Sequence, residues 1–179
     1  MSLLKQHYRE TVRKKLNEQF AYVNPMQIPK LQKIIVHMGV AEAAKDKNVL
    51  QSSFGELMML SGQKPILTLA KKSISNFKLR KGMPIGIKVT LRADRMYDFL
   101  YRLIHIVFPR IPDFRGFPLR FDGKGNYTFG LKDQQCFPEV DLDRVQRIQG
   151  MHISLATSAQ TDSEALFFLQ EMGFPFARK

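Results

Sequence analysis

Residues 85–92, Ile-Gly-Ile-Lys-Val-Thr-Leu-Arg, alternate between oily and polar positions without a break. Successive side chains of a strand point to opposite sides. Ile85, Ile87, Val89 and Leu91 therefore share one face, and Gly86, Lys88, Thr90 and Arg92 the other. A helix would scatter both sets around its axis. The segment is a strand with one dry face and one wet, cationic face, which demands a sheet covered on one side only. Residues 30–40 repeat the pattern, with Ile34, Val36, Met38 and Val40 opposite Lys33, Ile35 and His37. "PILTLA" (65–70), "YTFGL" (127–131) and "HISLAT" (152–157) read as further short strands.

Between these runs the apolar spacing becomes helical. Leu4, Tyr8, Val12, Leu16 and Phe20 recur at every fourth position. "NPMQIPK" (24–30) is a connector. A helix over about 47–60 turns Val49, Leu50, Phe54, Leu57 and Met58 inward and stops at Gly62. Asp94 can cap a helix carrying Met96, Phe99, Leu100, Leu103, Ile104 and Val107, which Pro109 and Pro112 end. "DGKGNY" (122–127) is a tight turn. A last helix starts at Thr161 or Asp162 and stops at Gly173. These elements give an α+β fold: a single domain over 1–179, with a largely antiparallel sheet and helices on one face.

The strands at 65–70 and 85–92 flank "AKKSISNFKLRKGMPIG" (70–86), which holds Lys71, Lys72, Lys78, Arg80 and Lys81 and no acid. From Leu57 to Ala93 there is no Asp or Glu, whereas 16 are spread over the 179 residues of the chain. If 65–70 and 85–92 pair as a hairpin, residues 71–84 form a basic loop at its tip, able to reach out roughly 20 Å. Loops of that length are functional or mobile. The cations suit phosphates, Ser73, Ser75 and Asn76 can bond phosphate or ribose, and Phe77 can stack on an exposed base. Five phosphate contacts would contribute a slope of about −3.5 to −4.5 to log affinity against log salt.

The net charge of +12 and pI near 10.0 fit a polyanionic partner. The longest apolar stretch, Leu103–Phe108, is too short to cross a bilayer, and "MSLLKQHYRETVRKKL" has no signal-peptide core. A single cysteine, Cys136, excludes an intrachain disulfide and suits a reducing cytoplasm; it reads as a small, partly buried residue. Cys136 and the four histidines lack zinc-ligand spacing, so no metal or cofactor is expected. Gly116 and Gly123 are spaced wrongly for a phosphate-binding loop, and "GKGNYTFG" is not a dinucleotide fingerprint. Glu139, Asp141 and Asp143 alternate as they would along one strand face, and could seat a divalent ion or meet a basic partner. Their best enzymatic use would be in a basic metal-dependent nuclease, the alternative to an RNA-binding structural protein.

"MQIPKLQKIIVHMGV", "SGQKPILTLAKKSISNFKLRKGMPIGIKVTLR", "FPRIPDFRGF", "DGKGNYTFGLKDQQCFPEVDLD" and "TDSEALFFLQEMGFPF" resemble, in order, the motifs of the bacterial large-subunit ribosomal protein five family. The resemblance covers almost the entire chain. It implies a non-catalytic cytoplasmic protein of the ribosome that binds 5S rRNA and anchors it in the central protuberance among large-subunit RNA and proteins. On the family pattern the exposed sheet face makes that contact, here Lys33, His37, Gln63, Lys88, Thr90 and Arg92. The loop, here Lys71, Lys72, Ser73, Ile74, Ser75, Asn76, Phe77, Lys78, Leu79, Arg80 and Lys81, would touch the P-site tRNA. A small-subunit head protein, the thirteenth of that subunit, would be met by Arg110, Asp113, Arg115, Glu139, Asp141 and Asp143. Neither a membrane nor a homo-oligomer is implied. Two departures stand out: His37 occupies a position where the family commonly has Asn, and the chain is one residue shorter than some relatives between "FRG" and "FDGKGNY".

Overall fold

The computed structural model describes residues 2–40, 47–140 and 147–177. Five strands, β1 (Leu31–Gly39), β2 (Ile66–Leu69), β3 (Pro84–Leu91), β4 (Tyr127–Leu131) and β5 (Met151–Thr157), form one antiparallel sheet in the order β2-β3-β1-β5-β4, with helices packed on it. The α+β reading holds. Burial follows the alternation along β1 and from Ile87 onward in β3. Ile34, Val36 and Met38 on β1 and Ile87, Val89 and Leu91 on β3 are buried, while Lys33, Ile35 and His37 are half-buried and Lys88 is exposed. At the start of β3 the alternation fails, Ile85 being half-buried and Gly86 buried. Each such buried aliphatic side chain contributes about 1.5–3 kcal/mol. A slip of one residue in β3 would exchange three of them for Lys88, Thr90 and Gly86, so the register is fixed.

The chain forms two compact units. The first comprises Met1–Ile34, Leu91–Phe129 and Ser154–Lys179. In it α1 (Leu3–His7), a π-helical turn (Tyr8–Val12) and α2 (Arg13–Phe20) run on as one rod that buries Leu4, Val12 and Leu16. The Tyr8 hydroxyl donates to the Pro29 carbonyl at 2.9 Å, and its ring meets Phe168 edge-on. α4 (Ala93–Arg102) continues into π-helical Leu103–Val107 and a 3-10 turn, Phe108–Arg110. Asp94 does not cap it. Arg92 holds the cap position without a side-chain bond, and the Asp94 carboxylate pairs with Lys5. α5 (Asp162–Glu171) is capped by Thr161, whose hydroxyl accepts from the Glu164 N–H, and Gly173 ends it at φ +86°. The 122–127 turn is held by carboxylates. Asp122 accepts from the Lys124 and Asn126 N–H groups at 2.8 and 2.9 Å, and Asp162 accepts from Gly123 and Gly125.

The second unit comprises Ile35–Thr90 and Gly130–Ile153. Its helix α3 (Lys47–Ser61) buries Leu50, Leu57 and Leu60 and ends at Gly62, φ +63°. Met58, expected inward, is 50% exposed: Leu57 and Leu60 define the buried stripe and Met58 falls outside it. Gln134 is fully buried with its amide committed, donating to the Arg147 carbonyl at 2.7 Å and accepting from the Gln149 N–H at 2.6 Å. β2 and β3 pair as a hairpin with Thr68 opposite Gly86 and Leu69 opposite Pro84, which leaves Ile85 as a bulge.

Candidate nucleic-acid interface

The uncovered face of the second unit is built from small and cationic residues. Gly86 occupies the polar side of β3 between Thr68 and His37. A Cβ there would lie 2.7 Å from the Met38 carbonyl and 2.9 Å from the Thr68 hydroxyl, so only glycine fits. Gly86 is itself buried, so the glycine serves close packing within the sheet at the centre of this face. Lys88 follows, exposed, and Thr90 is half-buried. The Gln63 amide donates to the Thr90 carbonyl at 3.3 Å, which fixes Gln63 against β3. His37 faces His152 on β5 and Lys88 on β3; burial first, and then those two groups, hold its imidazole below the usual range. It is accordingly neutral at pH 7. Lys33, half-buried, precedes His37 on the same side of β1, and Arg92 lies exposed just past β3, both in the first unit.

Sequence reasoning missed His152, Gly130 and Lys132, which join His37 around one recess. The alternation of "HISLAT" puts His152 on the polar side of its strand, but that β5 neighbours β1 is a property of strand order. Local pattern does not carry it.

The 71–84 loop is exposed, with Leu79, Met83 and Pro84 partly covered. It is nonetheless ordered from within. Ile74 and Leu79 exchange both backbone bonds, at 3.0 and 3.1 Å, around a 3-10 turn, Ser75–Phe77, that closes with Lys78 at φ +53°. At the root, Ala70 donates to Met83 at 2.8 Å and Gly82 to Ala70 at 2.9 Å, and the Ser73 hydroxyl takes the Lys81 N–H. These bonds hold the loop from within while its side chains stay in water: Phe77 is 71% exposed. Ser73, Ser75, Lys78 and Arg80 line a shallow concavity of about 460 Å³.

The remaining candidates fall in both units. Arg110, Asp113 and Arg115 are exposed in the first unit. Glu139, in the second, lies half-buried in a turn rather than on a strand, because the 3-10 turn Gln134–Cys136 and the Phe137–Val140 bond curl the chain there. Asp141 and Asp143 lie outside the described residues. The strand-borne carboxylate ladder behind the nuclease reading is therefore not formed at Glu139. Among the described residues no group of three His, Cys, Asp or Glu is placed to hold a metal, and no helix is long and apolar enough to cross a membrane. Cys136 is half-buried.

Two family models match in tandem: "Ribosomal protein L5" over residues 24–80, and the C-terminus of the same ribosomal protein family over residues 84–176. The large ribosomal subunit protein uL5 of Protochlamydia amoebophila is 58% identical over 176 residues, 98% of this chain and 95% of its own length. The uL5 proteins of Chlamydia felis and Chlamydia abortus are 58% and 59% identical over 178 residues, 99% of each chain. The resemblance read in the motifs thus extends over nearly every residue, and the chain belongs to the ribosomal protein L5 family, whose members are structural rather than enzymatic.

Proposed function

We propose that this large-subunit ribosomal protein acts as a single RNA-binding domain on the cytoplasmic ribosome. Its open sheet face binds 5S rRNA and anchors it in the central protuberance, its 71–84 loop contacts the P-site tRNA, and it bridges to small-subunit head protein thirteen. The observation that supports the 5S reading best is exposed Lys88 beside half-buried Thr90 and His37, on the polar side of β3 and β1 and opposite buried Ile87, Val89 and Leu91. A folded chain with a net charge of +12 that leaves such a face wet gains from a polyanion laid against it. The loop reading is supported by backbone bonds within the loop that leave Phe77, Lys78 and Arg80 exposed.

The test is a footprint on 5S rRNA and on assembled ribosomes. Protection of 5S rRNA at a 1:1 ratio of protein to RNA, the RNA remaining intact in Mg²⁺, supports the reading; cleaved RNA overturns it. Thr90→Val should weaken 5S docking, and the Lys78→Ala, Arg80→Ala double substitution should weaken the tRNA contact while 5S binding persists. Loss of 5S binding in the double variant would overturn the division of labour.

A further inference from the structure

We propose that the recess walled by His37, Lys132 and His152 is a seat for a backbone phosphate of RNA, and that filling it takes up a proton, so that RNA binds more tightly as the pH falls. This rests on the reading of the open face as an RNA surface and names a regulation of it.

The recess measures about 570 Å³, and all of its residues belong to the second unit. Gly39 and Gly130 put no side chain into it. A Cβ on Gly130 would meet the His152 ring at 3.7 Å, so the glycine leaves that ring accessible. Gln149 fixes one wall before any ligand arrives. Its amide donates to the Gly39 carbonyl at 3.0 Å and to that of Gly150 at 3.3 Å, and its backbone N–H is held by Gln134. The groups left to meet a ligand are two imidazoles and an exposed ammonium, and among the described residues no carboxylate lines the site.

The charged and titratable groups described around His37 include no acid: Lys88 from β3 and His152 from β5 act on its ring, and Lys132 just past β4 lines the same recess. β2 contributes only the Thr68 hydroxyl, beside Gly86. In the free protein this environment keeps the His37 ring neutral, with one N–H to offer. A phosphate set among the two rings reverses the local field and favours the imidazolium, which donates from both nitrogens. The complex then holds more protons than the separated partners. Affinity must therefore rise on acidification, by up to about tenfold per pH unit for each proton taken up.

The experiment measures binding of a 5S rRNA transcript at fixed ionic strength from about pH 8 to about pH 6, where an ordinary histidine changes charge. Wild-type protein should bind about 3- to 30-fold more tightly at the acid end, with a log affinity–log salt slope steeper there by up to about one. His37→Asn and His152→Asn, both on the wet face, should each flatten the pH profile whatever their absolute affinity; circular dichroism checks that they fold. Identical pH profiles in wild type and both variants, with 5S binding retained, overturn the proton-linked seat and leave the RNA reading standing. If wild type binds no 5S rRNA at either pH, the RNA reading itself fails and takes the seat with it.

Discussion

Two sets of phenylalanines in this molecule are used in opposite ways. In the first unit Phe108, Phe117, Phe129 and Phe174 pack ring against ring, with centroids 4.5–5.7 Å apart and mostly edge-on or tilted. All four are buried, and Tyr127 extends the cluster while its hydroxyl reaches the Pro118 carbonyl at 2.7 Å. In the second unit Phe77 rides on a loop held largely by its own backbone hydrogen bonds, with its ring in water. The first arrangement gains stability from apolar area and ring geometry. The second forgoes that gain, and a ring left in water on a cationic loop is available for stacking. Burial marks where the fold is held; exposure of the same residue type marks where binding is to be sought.

That contrast can be broken by substitution. Phe129→Ala should cost about 3–5 kcal/mol, read by urea unfolding, because it opens a cavity in a packed cluster. A cost below about 1 kcal/mol would mean that the cluster collapses around the gap. Phe77→Ala should change stability by less than about 0.5 kcal/mol, as expected for a surface site. It should nevertheless lose about 1–3 kcal/mol of RNA affinity if the ring stacks on a base. Unchanged affinity would remove Phe77 from the contact.

The smallest effect concerns His37 in the free protein. Its folded-state pKa is lowered from 6.5, so the unfolded chain takes the proton more readily, and stability falls as pH drops below about 6.5 toward the folded value. Because the ring is partly solvated, the effect is at most about 0.5 kcal/mol. Thermal melts at about pH 7 and pH 5, wild type against His37→Asn, should show that increment vanish in the variant. Acid would thus weaken the free fold slightly at the residue where it strengthens RNA binding.

The period-two faces of β1 and of β3 from Ile87 onward were legible in the sequence, because a residue's side of a regular strand is set by parity; the bulge at Ile85 broke that parity at the start of β3. The hairpin, the basic loop and the glycine stops at Gly62 and Gly173 were legible too. Three readings failed where local pattern was not enough, two of them because a distant partner decided the outcome. Lys5 takes the Asp94 carboxylate that would otherwise have capped α4, across 89 positions of sequence. The buried stripe of α3 excludes Met58 although helical spacing admits it. His152 was overlooked because the strand order that brings it beside His37 is written nowhere near either residue.

The bulge at Ile85 has a mechanical consequence. Its carbonyl accepts the Val40 N–H at 3.0 Å, so the extra residue is anchored where the hairpin leaves the sheet. Bulges bend a strand and deepen its local twist. The loop behaves like a boom whose heading is set at the pivot and whose grip is set at its far end. Exchanging cations at the far end changes what is held, whereas deleting Ile85 would swing the whole boom off target with every one of its charges intact.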